Sequence, residues 1–259
     1  MLYSVLSTLL LPALRVAAET TTVWATPHDS YSSSVGVLGC KVNTNRIAYW
    51  PMSVDCTNIC VSLSYGGRSV YLLRVDQSGG AYDVSYDAWN YLITGYPATS
   101  KPTTGGAIAM EYENVDASKC AGLIQTDGHK LPLSAANSMN FLASCLSQSN
   151  TWVAKNHVLY NILDSICSWG YDEECTLDLS TSNQPKCPNT LGSPISLTNA
   201  PVYNIQYPSG KSVLASTGQT GQVPATPNLG RKAAHFEGRG LALLAMALSL
   251  FIHSLLNGL

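Results

Sequence analysis

Val75-Asp-Gln-Ser-Gly-Gly-Ala-Tyr-Asp-Val-Ser-Tyr-Asp-Ala-Trp-Asn-Tyr-Leu92 changes its period halfway along, and that change decides the fold. Val75 closes the β-branched and aromatic run Ser69–Val75, which reads as a strand ending in Asp76. Ser78-Gly79-Gly80 then breaks the chain. A short segment, Tyr82-Asp83-Val84-Ser85, leads into residues 86–93, where Ala88, Trp89, Leu92 and Ile93 share one helical face; Ser85 stands at the N-cap position.

Working outward, the residues on either side are β-rich. Arg46–Trp50, Cys60–Tyr65 and Ala107–Tyr112 are short runs of β-formers, and Gly66-Gly67 between two runs marks a hairpin turn. Before them, residues 19–35 are rich in Thr and Ser and are expected to form an irregular lead-in. After Ile124 the apolar spacing moves toward 3.6. Ala135, Met139, Leu142 and Leu146 predict a helix over 134–148; Trp152, Leu159, Leu163 and Ile166 predict a second over 152–167. Residues 188–228, rich in Ser, Thr, Pro, Gly and Gln, read as a stalk open to O-glycosylation.

Both ends look like processing signals. Residues 1–18 hold an apolar run, Val5–Leu14, followed by Val16-Ala17-Ala18, the small residues a signal peptidase requires. Leu241–Leu259 is an apolar run with no basic tail, preceded by the polar spacer Arg231–Gly240, which is the pattern of a GPI-attachment signal over 229–259 with Asn228 as the attachment residue. The competing reading is a C-terminal transmembrane helix, against which His253 and Asn257 stand inside the run.

Processing changes the charge. Removing Arg15, Arg231, Lys232 and Arg239 together with Glu237 from 14 basic and 16 acidic residues leaves 10 against 15. A net-negative chain without a basic run is unsuited to nucleic acid. Only 12% of the residues are charged, which suits an extracellular surface that meets neutral polymers. The eight cysteines, Cys40, Cys56, Cys60, Cys120, Cys145, Cys167, Cys175 and Cys187, read behind a signal peptide as four disulfides whose pairing the sequence does not select. Cys56 and Cys60 have a metal-like spacing, but no His stands at ligand spacing beside them, so neither a metal nor any other cofactor is expected. There is no Asn-x-Ser/Thr sequon.

The strand, glycine turn, aromatic-Asp-aliphatic-Ser segment and short helix resemble the later part of the double-psi β-barrel of expansins, barwin-like proteins and rare lipoprotein A, a barrel shared by barwin-like endoglucanases. Where expansins read His-Phe-Asp-Leu-Ser, this chain has Ala81, Tyr82, Asp83, Val84 and Ser85; Asp76 matches the aspartate that ends the preceding strand. Tyr49-Trp50 and Asp55-Cys56 resemble the Tyr-Trp-Asp-Cys of the endoglucanases, with Pro51–Val54 inserted. The resemblance covers residues 36–124. It implies a six-stranded double-psi β-barrel; the helical spacing beyond Ile124, which the resemblance does not cover, adds a disulfide-linked helical pair over 125–187, so that the expected fold is mainly β with a helical appendage.

Function follows from the same residues. Inverting hydrolysis of a glycosidic bond needs one carboxylic acid and one carboxylate about 6.5 to 9.5 Å apart. Asp83 is the candidate acid and Asp55 the candidate base. With Asp83 alone in place, Asp83 and Asp76 accept sugar hydroxyls while Tyr49, Trp50, Tyr82 or Tyr86 offers a flat ring face. The expectation is a monomeric, GPI-anchored, expansin-like surface protein that binds or loosens cell-wall polysaccharide without hydrolysis. The alternatives are a barwin-like endoglucanase using Asp83 and Asp55, and a structural or host-interaction surface protein.

Overall fold

A computed structural model describes residues 20–221. The expected signal peptide, the expected attachment residue Asn228 and the expected GPI-attachment signal lie outside the described residues. Six strands, β1 (Thr21–His28), β2 (Ile47–Trp50), β3 (Cys60–Tyr65), β4 (Arg68–Gln77), β5 (Tyr82–Ser85) and β6 (Ile108–Asn114), close a barrel in the order β1-β5-β2-β4-β3-β6. β1 runs parallel to β5 and β2 parallel to β4, while β2–β5, β3–β4, β3–β6 and β1–β6 are antiparallel. These two parallel pairs within one small closed sheet fit the double-psi arrangement.

β1 corrects the expected lead-in. Thr21-Thr-Val-Trp-Ala-Thr-Pro-His28 alternates small or apolar residues inward with Trp and Thr outward, and Val23 and Ala25 are buried. The helix that follows β5, α1 (Tyr86–Thr94), lies where the period change predicts it and stops at Gly95, whose φ of +79° permits the left-handed cap. Ser85 occupies the N-cap position, yet its hydroxyl donates to the Thr44 carbonyl at 2.7 Å and accepts from the Ile47 amide at 3.0 Å, so it ties α1 to β2 and does not cap the helix.

Two cores result. Ala25, Ala48, Trp50, Leu63, Leu72, Val84 and Met110 fill the barrel interior and extend under α1 through Trp89 and Leu92. Ile47, Tyr49, Cys60, Leu73 and Val75 form the outer face of β2–β4, which a second layer covers. That layer holds β7 (Leu131–Ser134), α2 (Met139–Leu146), α3 (Trp152–Lys155), β8 (His157–Ile162) and β9 (Gly170–Cys175), with the sheet order β7-β8-β9.

Here the predicted helical pair is corrected. The first helix begins only at Met139, because Leu131–Ser134 pairs in parallel with β8. The second is cut to one turn, and His157-Val-Leu-Tyr-Asn-Ile162 is a central strand. Its β-branched and aromatic side chains satisfy a buried sheet position, and a strand on each side overrides the helical spacing. Asp172-Glu173-Glu174 lies on β9, where Asp172 pairs with Lys41 at 2.7 Å.

The disulfides are Cys40–Cys167, Cys56–Cys145, Cys60–Cys120 and Cys175–Cys187. The first two fasten the second layer to the barrel, so Cys145 and Cys167 do not join each other. The expected stalk is folded along part of its length: β10 (Tyr203–Gln206) and β11 (Lys211–Leu214) make a hairpin held against the barrel. Asn204 Oδ1 accepts from the Tyr31 amide at 2.9 Å, and Tyr207 rests edge-on against Tyr86 at 5.1 Å. The Tyr207 hydroxyl donates to the Gly105 carbonyl at 2.8 Å. Among the described residues, no helix is long and apolar enough to cross a membrane.

Candidate functional site

Paired residues on neighbouring strands face the same side of a sheet, so the register builds the site. Tyr49 on β2 stands opposite Asp76 on β4 and Asp83 on β5; Asp83 stands opposite Thr26 on β1. Thr26, Asp83, Tyr49 and Asp76 therefore form a row on the outward face of the barrel. The Thr26 hydroxyl donates to Asp83 Oδ1 in a short hydrogen bond. His28 packs on Tyr49 with ring centroids 4.5 Å apart.

Access along the row is uneven. Asp76 is buried under the Ser30–Ser34 segment: Oδ2 accepts from the Ser32 hydroxyl at 2.5 Å, and Oδ1 from the Ser34 and Gln77 amides, each at 2.8 Å. With those donors in place it is a structural clamp. Burial raises the Tyr49 hydroxyl far above the usual tyrosine range, and the charges of Asp76 and Asp83 add to the rise against an opposing hydrogen bond with Ser85. The phenol stays neutral at all physiological pH. Over His28, Tyr49 and Ser85, residues Tyr203–Ile205 close a cavity of about 10 Å³, room for roughly one water. Asp83 is the carboxylate of the row that remains partly exposed.

The candidate base lies elsewhere. Asp55 sits in the loop after β2, where its Oδ1 accepts from the Thr57 and Asn58 amides at 2.5 and 2.6 Å, and Oδ2 from the Asn58 side chain at 3.1 Å. Partial burial pulls this carboxyl upward, but the Asn58 and Thr57 hydrogen bonds, with help from the Arg74 charge, outweigh it and hold the group below the usual carboxylate range. Its charged neighbour Arg74 points into the barrel with Ala48, toward Trp50, Tyr82 and Tyr112. Both carboxylate oxygens of Asp55 are thus engaged within its own turn, whereas Asp83 stands in the outward row opposite Tyr49.

The predicted ring platform is also corrected. Tyr49, Trp50 and Tyr86 are 4%, 1% and 1% exposed, so none of the three offers a face to a ligand. Trp50 closes one end of the barrel core, edge-on to Tyr112 at 4.5 Å and Tyr82 at 5.4 Å. Tyr86 donates to the Thr103 carbonyl at 2.8 Å. Only Tyr82 of the four keeps partial exposure. Sequence reasoning missed Thr26, the direct partner of Asp83, because β1 was read as irregular; the alternation in Thr21–His28 is the signal that finds it. Among the described residues no cluster of His, Cys, Asp or Glu could hold a metal ion.

With this geometry in hand, the chain can be compared with known proteins. The cerato-platanin family model matches residues 28–123, which reach from the end of β1 to the turn carrying Cys120. Cerato-platanins have a double-psi β-barrel related to that of expansins, so the match agrees with the expected barrel at the level of this wider group. Among solved structures, cerato-platanin 3 from M. perniciosa is similar at 16% identity, covering 39% of this chain and 98% of that chain, with a TM-score of 0.29. No curated protein sequence matches the chain.

Proposed function

We propose that the protein is a cell-surface barrel that binds cell-wall polysaccharide without cleaving it, using the Thr26–Asp83 pair as its polar anchor. The observation that carries this reading is the engagement of the other two candidate carboxylates. Asp83 is partly exposed and oriented by Thr26, Asp76 is occupied by three donors, and Asp55 is engaged by the amides of its own turn. A lone carboxylate accepts sugar hydroxyls well but has no partner to activate water. The likeness to cerato-platanins, which are cell-wall-associated, carbohydrate-binding and non-hydrolytic, supports the same reading. Secretion and a GPI anchor at Asn228 complete the proposal, from the sequence signals alone.

The test is retention of the full chain on insoluble cellulose, chitin and β-glucan, with reducing sugar measured in parallel. Retention without sugar release is expected, and Asp83→Asn should weaken it roughly ten- to a hundredfold, the worth of a charge-assisted hydrogen bond. Sugar release that depends on Asp83 would overturn the reading in favour of the endoglucanase.

A further inference from the structure

Trp24 is the most solvent-exposed large apolar side chain of the described residues, at 65%, and it lies on the barrel. Its neighbours Val23 and Ala25 are buried inward, so Trp24, Thr26 and His28 alternate outward along β1. Trp24 therefore shares its face with the Thr26–Asp83 pair, one strand repeat, or about 6.6 Å, further along. In register beside it on β6 is Ala109, too small to cover an indole, and Thr22 and Glu111 pair next along the strands. Ala109 and Glu111 also line a shallow groove with Ser64 and the Gly66-Gly67 turn. The outward face is continuous from groove to indole to Thr26–Asp83.

We propose that Trp24 is the stacking subsite of this face, on which an uncharged polysaccharide chain lies between the Ala109 groove and Asp83. The proposal rests on the polysaccharide-binding reading above and adds to it a residue and a charge specificity. The surroundings favour a sugar over a protein. A stable protein contact buries about 800 Å² per side around an apolar centre. Here a single indole is ringed by Thr22, Thr26, Ala109 and Glu111. A flat π face with hydroxyl and carboxylate acceptors at its edge matches a pyranose ring, which has an apolar face and a polar rim. Charge narrows the class. The track carries Glu111 and Asp83, whereas the nearby Arg68 guanidinium donates from Nε to the Leu92 carbonyl and from Nη2 to the Ile93 carbonyl, at 2.7 and 2.8 Å. Carboxylates along the path repel a uronic-acid polymer.

The experiment compares the full chain with Trp24→Ala, Trp24→Tyr and Asp83→Asn on cellulose, chitin, β-glucan and polygalacturonate, with thermal unfolding of each variant as the folding control. The expected result is retention on an uncharged polymer that falls about tenfold in Trp24→Ala and stays within about threefold of the parent in Trp24→Tyr, with little retention on polygalacturonate. Parent-like retention of Trp24→Ala alongside weakened Asp83→Asn would overturn the Trp24 subsite and leave the Asp83 reading standing. The reverse pattern would keep the subsite and remove Asp83. A Trp24→Tyr variant as weak as Trp24→Ala would overturn stacking as the cause, and a parent chain that prefers polygalacturonate or holds to none of the polymers would overturn the proposal outright.

Discussion

Replacing Arg46 by Met should destabilise the protein by about 3–5 kcal/mol, the cost of removing one partner from a buried ion pair. Arg46 Nη1 and Asp87 Oδ2 are 2.8 Å apart, with side chains only 4% and 7% exposed. The pair joins the start of β2 to the first turn of α1. Asp87 Oδ1 also accepts from the Ala98 amide at 2.8 Å, so the carboxylate fixes the loop after α1 as well. In Arg46→Met the methionine fills much of the space, while Asp87 keeps the Ala98 amide and loses the guanidinium. At about 2–4 °C per kcal/mol for a folded chain of this size, the loss corresponds to a fall in Tm of roughly 6–20 °C. Thermal unfolding followed by circular dichroism, with disulfides intact, reads it directly. The double variant Arg46→Met, Asp87→Leu completes the cycle and should recover most of the loss, because it leaves no buried charge behind. An Arg46→Met variant within 1 kcal/mol of the parent would refute the claim that this pair is dry and coupled.

Two further changes probe other parts of the molecule. Gly210 has φ of +69°, and a Cβ there would stand 2.2 Å from the Ala98 carbonyl oxygen, so Gly210→Ala should cost more than about 1 kcal/mol and speed hydrogen exchange in residues 203–214, with β1–β6 unchanged. Asp55 has its carboxyl held low in the folded state, so the stability it contributes is present above its unfolded pKa and is lost as pH falls through the lower folded value. Asp55→Asn should therefore be less stable than the parent at pH 7 and lose that difference in acid, as urea titrations at several pH values would show.

How legible the molecule was depends on whether local pattern and tertiary position agree. At 75–92 they agree: strand, turn and helix each have their own residues, and the structure has β4, β5 and α1 there. At Thr21–His28 the alternation was present but masked by three threonines and a proline, and pairing with β5 and β6 made the strand. At His157–Ile162 spacing and propensity disagreed, and two neighbouring strands settled the outcome. Asp83 could be found from the sequence because a motif carries it. The alternation of β1 marks Thr26 as outward, but its pairing with Asp83, 57 residues away, arises only from the parallel register. The exposure of Trp24 and the burial of Trp50 follow from pleat direction, which shifts by a whole face with each residue of register.

The cross-links also set how the chain would respond to tension. Cys40 and Cys167 are joined across 127 residues, and the bridges Cys56–Cys145 and Cys60–Cys120 both lie inside that span. A force applied between the two ends of the described chain passes from Cys40 to Cys167 through sulfur and bypasses β2–β6 and β8. Roughly 430 Å of contour length is withheld from extension until these nested disulfides are reduced. β1, which carries Trp24 and Thr26, lies on the loaded side of that shortcut, whereas Asp83 lies on the sheltered side. Load would therefore separate the two halves of the proposed ligand face before it disturbed the rest of the barrel.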